Sequence, residues 1–138
     1  MARDEKYFSI LEKLAVSVSY DSKHRARIAS CIVYKNDVIS FGINRMKSHP
    51  FQKRFSKNND SIYLHSETDA INNALKIITT EELSKSTLYI CRVKYDNTKV
   101  KSLVWGLSKP CIGCMRAIAT FNIKKVFYTC DNNSFMSL

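Results

Sequence analysis

The chain has 138 residues, 45% of them hydrophobic and 25% charged, and 22 Lys and Arg against 12 Asp and Glu give it a net charge of +10. That length fits one compact domain, residues 1–138. No apolar run approaches the ~20 residues of a membrane span, and the acids of MARDEKYF do not suit a signal peptide. A cytoplasmic protein is therefore expected, with no membrane partner and with its thiols reduced. Five cysteines, two of them spaced C-x-x-C, then point to metal or redox use rather than a disulfide framework. The positive charge favours anionic partners, either nucleotides or a nucleic-acid backbone.

In chain order, residues 5–19 place Phe8, Leu11, Ala15 and Val18 on one helical stripe. Two β-rich runs follow, Ile28–Tyr34 and Val38–Ile43, joined by a Lys35-Asn36-Asp37 turn, which reads as a hairpin. Residues 44–62 are polar and basic, and a loop that long is usually functional or mobile. Helical periodicity resumes after His65, with Ile71, Ala74, Leu75 and Ile78 on one face. Residues 86–95 read as a third strand whose alternation shows no exposed face. Pro110 opens a helix running to about Phe121, and residues 123–129 read as a fourth strand. The last residues leave room for a short fifth strand at an edge. An α-β-β-α-β-α-β order with only three Gly and two Pro implies a mixed α/β sheet with helices on both faces and no linker.

Cys111 and Cys114 start a helix and lie on one side of its first turn. Free N–H groups and the helix dipole favour thiolates there, and two thiolates are half of a tetrahedral zinc site. The sequence offers His24, His49 and His65 as partners, and His65 opens the other helix. Three protein ligands leave the fourth position open, as in a catalytic zinc site, where the ion lowers the pKa of water toward ~7. Glu67 is the nearest base. Two residues apart in a helix means roughly 200° around the axis, an objection that weakens if His65 has the non-helical angles of an entry residue.

His65-Ser66-Glu67 with Pro110-Cys111-Ile112-Gly113-Cys114 resembles the H-x-E…P-C-x-x-C pattern of the zinc nucleobase deaminases. The resemblance extends over most of the chain. VISFGIN is similar to the strand ending in Asn of deoxycytidylate and tRNA adenosine deaminases, and NIKKVFY to their fourth strand. KSHP and SKPC resemble deaminase-like proteins of phages and large viruses, which would place the protein in a host cytoplasm. The resemblance implies a cytidine deaminase-like three-layer α-β-α fold with an opening antiparallel hairpin. It implies Zn2+ on His65, Cys111 and Cys114. Glu67 would carry a proton from the zinc-bound water to the ring and then to the leaving ammonia. It further implies a sugar or base contact by Asn44, base-edge contacts by Ser66 beside Pro110, and a homo-oligomer. Ser66 departs mildly from the more usual Ala, and its hydroxyl either caps the helix or touches substrate.

The remaining residues have plainer readings beside functional ones. Asp69 suits a helix first turn and nothing in the motif needs it. Cys31, Cys91 and Cys130 read as small core residues. His24 and His49 read as solvated, with His49 able to reach a phosphate. Residues 45–57 carry Arg45, Lys47, Lys53, Arg54 and Lys57 with Phe51 and Phe55 interleaved. They form either a solvated loop or a strip that clamps a phosphate or a single strand by charge and stacking. Trp105 and Lys109 precede the Cys helix, the first to stack or pack, the second to meet a phosphate. Two functions follow: deamination of a free (deoxy)cytidine nucleotide, or deamination within single-stranded DNA or RNA.

Overall fold

The computed structural model describes residues 3–18, 27–45, 49–55, 65–95 and 103–138. Helix α1 (Arg3–Val16) buries Tyr7, Phe8, Leu11 and Ala15 on one stripe, with acids in its first turn and Lys13 in its last, as the helix dipole favours. Strands β1 (Arg27–Tyr34) and β2 (Asp37–Ile43) pair antiparallel. Their turn places Lys35 and Asn36 at φ 51° and 68°, the two left-handed residues that a tight hairpin matching strand twist needs.

The expected unbroken loop across 44–62 is corrected by a short helix, α2 (Pro50–Phe55). Pro50 supplies a preset helical φ at the first position. Phe51 and Phe55, four residues apart, share a face and meet the Phe121 ring at 6.1 Å each. These aromatics pack against the core instead of projecting from a strip. His24, Lys47 and Lys57 lie outside the described residues.

Helix α3 (Ser66–Ala74) follows, then α4 (Thr80–Ser84), which starts with a reciprocal capping box between Thr79 and Glu82. Strand β3 (Thr87–Tyr95), strand β4 (Leu103–Gly106), helix α5 (Ile112–Thr120) and strand β5 (Lys125–Cys130) come next. A 3-10 turn at Asp131–Asn133 leads into the edge strand β6 (Ser134–Ser137). Strand β4 was not expected. It places Trp105 within a strand, its ring 5.5 Å from Phe8 of α1, rather than on a loop.

The sheet order is β2-β1-β3-β5-β6, with β4 on the far end of β3. Strands β3 and β5 are parallel and the other pairs antiparallel. Alternation sorts the side chains into two layers. Ile32, Leu88, Ile90, Val126 and Tyr128 pack with α3 and α5. Ala29, Cys31, Val33, Tyr89, Cys91 and Val93 pack with α1. Both faces of β3 are covered, which explains its mixed pattern in sequence. Among the described residues no helix is long and apolar enough to cross a membrane.

Candidate active site

Two helix N-termini meet at one rim of the sheet. His65 is the N-cap of α3 and Cys111 the N-cap of α5; both have extended backbone angles and neither side chain caps its own helix. Their side chains face each other instead. His65 Nδ1 lies 3.4 Å from Cys111 Sγ and 3.3 Å from Cys114 Sγ. All three donor atoms fall within 4.8 Å of one another, forming the one such group found among the described residues. Bond lengths of about 2.0 and 2.3 Å around a tetrahedral zinc put a ligating N and S roughly 3.5 Å apart, so this N/S/S set fits Zn2+. Cys111 is exposed, His65 half-buried and Cys114 buried, so the cluster is open on one side.

The two thiols share their protons unequally. A hydrogen bond from Cys114 holds the Cys111 thiol down at about 3, burial opposes this, and His65 adds to it. Cys114 is pushed well above its ordinary value, first by its bond to Cys111, then by burial and by Glu67. The bond to Cys111 also raises His65. Cys111 is thus the more acidic of the two thiols, and a cation bound by both sulfurs must displace any proton left on them.

Glu67 is 5% exposed. Because His65 has the extended angles φ −84°, ψ 159°, the separation of two helical positions does not set them on opposite sides. Ser66 donates its hydroxyl to Glu67 Oε1 at 2.7 Å, and its oxygen lies 2.7 Å from the Ser30 hydroxyl on β1. Gly42, paired with Ser30 across the hairpin, makes room for this first turn. A Cβ there would stand 2.2 Å from the Ser66 carbonyl oxygen and 2.3 Å from the Ala70 nitrogen.

Asn44 is fixed to β1 twice. Its side-chain oxygen accepts the Ile28 N–H at 3.0 Å, and its backbone N–H reaches the Ile28 carbonyl at 3.3 Å. Asp69, read as a simple first-turn acid, is 5% exposed and tied to β2. It accepts the Ile43 N–H at 3.1 Å and Arg45 Nε at 3.4 Å. Gln52 of α2 is 1% exposed; its side-chain oxygen accepts the His65 N–H at 3.1 Å and the Thr68 hydroxyl. Ser108, three residues before Cys111, bonds the Ile90 carbonyl and both the hydroxyl and the backbone N–H of Thr129. The approach to α5 is thereby fastened where β3 and β5 part.

The cluster thus brings together His65, Cys111 and Cys114, with Glu67 next to it, flanked by buried Ser66 and Pro110 and by exposed Lys109. Arg45 is drawn to Asp69. His49 Nδ1 accepts the Phe51 N–H at 3.1 Å, at the start of α2. Lys53 and Arg54 are exposed on α2, with the Arg54 guanidinium 5.1 Å from the Phe55 ring. Trp105 belongs to the α1 side of the sheet. Lys47 lies outside the described residues. Reading the sequence missed Ser30, Gly42, Gln52 and Ser108, whose partners are distant in sequence. Gly42, one of three glycines in the chain and set within a strand, carried the one usable signal, that of a close backbone approach.

The fold is similar to that of solved proteins. The dCMP deaminase of cyanophage S-TIM5 in its apo form matches 94% of this chain and 84% of its own, at 20% identity and a TM-score of 0.60. The same enzyme in complex with dCMP and dUMP matches 90% of this chain and 78% of its own, at 20% identity and a TM-score of 0.56. RibD of Acinetobacter baumannii matches 93% of this chain over 28% of its own, at 20% identity and a TM-score of 0.54. No curated protein sequence matches the chain. The family model for the cytidine and deoxycytidylate deaminase zinc-binding region matches residues 1–130. With that match and an N/S/S donor set that fits Zn2+, the chain belongs to the cytidine and deoxycytidylate deaminase family and is a zinc-dependent deaminase, a hydrolase.

Proposed function

We propose that the protein deaminates the cytosine base of a free deoxycytidine nucleotide, with dCMP the first candidate, giving the uracil product and ammonia. The observation that carries the reading is the convergence of His65 Nδ1 and the sulfurs of Cys111 and Cys114 beside the buried Glu67 carboxylate. His65, Cys111 and Cys114 would hold the zinc. Zinc held there acts as a Lewis acid and makes water a nucleophile near neutral pH. Glu67 takes a proton from the attacking water as its oxygen adds to C4 of the base. It passes that proton to the ring, then moves the remaining proton of the new C4 hydroxyl to the amino group, so that the C4 carbonyl forms, the C4–N bond breaks and ammonia leaves. Asn44, held by two bonds to Ile28, contacts the sugar or the base. Pro110 and the backbone at Ser66 border the ring, and Lys109, Lys53 and Arg54 supply positive charge for the phosphate.

The cyanophage enzyme of similar fold was solved with dCMP and dUMP, which supports a nucleotide substrate here. The +10 charge favours a polynucleotide instead. Against it, Phe51 and Phe55 pack on Phe121 and are not placed to stack on successive bases. Five of the cations, Arg3, Lys35, Lys85, Lys124 and Lys125, line a cavity of about 450 Å³ that shares no lining residue with the cluster.

Ammonia release from dCMP, dCTP, cytidine, a cytosine-bearing single strand and a tRNA separates the two. Turnover of free nucleotide alone is the expected result. Turnover confined to the single strand or the tRNA would overturn it.

A further inference from the structure

A chain of two hydroxyls reaches Glu67 from the sheet. Ser30, Ser66 and Glu67 are 0%, 1% and 5% exposed. Ser66 Oγ lies 2.7 Å from Ser30 Oγ and 2.7 Å from Glu67 Oε1. Geometry fixes the direction. Ser66 gives its single hydroxyl proton to Glu67 Oε1. Ser66 then has only lone pairs to offer Ser30, which must be the donor in the other bond. The chain runs from Ser30 to Ser66 to Glu67, each bond polarising the next.

The two elements that meet here are built for close approach. Ser30 and Gly42 are cross-strand neighbours, and together they form a shallow seat for the first turn of α3. A larger side chain at either position would lift Ser66 from the sheet. A carboxylate on a flexible side chain needs a reason to stay in one orientation.

We infer that Ser30 and Ser66 are positioning residues for Glu67. They occupy one carboxylate oxygen and so hold the other in a single orientation for proton transfer at the reacting base. This rests on the reading of Glu67 as the proton carrier. Misorientation at the reacting atoms lowers the rate of the chemical step and leaves ground-state binding nearly unchanged.

The test uses zinc-loaded wild type, Ser66→Ala, Ser30→Ala and the double variant, with zinc content and melting temperature measured on each. Ser66→Ala is expected to lower kcat about tenfold with KM within about twofold of wild type. Ser30→Ala is expected to lower kcat about threefold, and the double variant should be no slower than Ser66→Ala, because Ser30 acts only through Ser66. An unchanged kcat in Ser66→Ala, a loss confined to KM, or fully additive losses in the double variant would overturn the inference. If Ser66→Ala does not fold, Ser30→Ala carries the test alone, since it leaves α3 untouched. Crystal structures give a readout independent of turnover. The Glu67 carboxylate should hold one position in wild type and rotate or split in Ser66→Ala; an unmoved carboxylate overturns the inference. A wild type that deaminates no substrate, yet whose Glu67 moves in Ser66→Ala, would defeat the proposed function and leave the positioning standing.

Discussion

Gly42 on β2 and Ser66 on α3 approach so closely that a Cβ on Gly42 would stand 2.2 Å from the Ser66 carbonyl oxygen. Backbone lies on both sides of this contact, so no flexible side chain is there to yield. Gly42→Ala must push α3 away from the sheet, and with it His65 and Glu67. The expected cost is about 2–3 kcal/mol, the upper part of the usual range for overpacking, with zinc affinity lowered in parallel. Urea denaturation and zinc titration of the variant check both.

Asp69 is the buried acceptor that ties the end of β2 to α3. Asp69→Ala leaves the Ile43 N–H and the Arg45 guanidinium without that partner, next to Asn44. Loss of a buried acceptor costs about 1–3 kcal/mol. Because Asn44 is proposed to contact substrate, KM is expected to rise about tenfold with a smaller change in kcat. Steady-state kinetics on dCMP would show it. A variant with unchanged KM would mean that Asp69 supports the fold only.

Zinc retention follows the three donors. Cys114→Ser and His65→Ala should each purify with little zinc, while wild type carries a single equivalent, read by atomic emission. Metal binding favours the folded state by mass action. Chelation should therefore lower the melting temperature of wild type and leave that of Cys114→Ser nearly unchanged.

The α1 face of the sheet should be sensitive to alkali. Burial pushes the Cys31 thiol up from 9.0 to about 12, and burial followed by Glu12 does the same to Cys91. A group raised by folding contributes its stability in full below the unfolded value and loses it as pH climbs toward the folded one. Stability should therefore fall from pH 9 toward pH 12, by up to about 1.4 kcal/mol per pH unit for each thiol. Tyr89, raised first by burial and then by its bond to Asp4, adds to the fall above pH 10. Cys31→Ala should show a shallower slope between pH 9 and 10 in urea denaturation, whatever its absolute stability.

The chemistry was more legible in the sequence than its support. His65, Glu67, Cys111 and Cys114 are readable because two short motifs fix residue types at fixed spacing, and one helix start follows each. The hairpin was readable from its β-rich runs and its Lys35-Asn36 turn, and the α1 stripe from its 3.6-residue period. Strand β4 was not, because four residues are too few for alternation and its pairing with β3 is a tertiary event. Phe51 and Phe55 among cations suit a stacking strip and a packed helix equally, and only Phe121, far along the chain, decides. Asp69 was rightly placed in a first turn, but its partners sit on β2. The Ser66 hydroxyl was expected at a helix cap or on substrate; its bonds go to Ser30 and Glu67.

In the proposed reaction Glu67 carries the proton at a zinc held by His65, Cys111 and Cys114. The most direct test is the rate of dUMP and ammonia formation from dCMP by wild type and Glu67→Ala at equal zinc content. Wild type should turn over, and Glu67→Ala should be slower by about 10³-fold, within the range for loss of a general acid–base, with its zinc retained. A Glu67→Ala protein as fast as wild type would contradict the account.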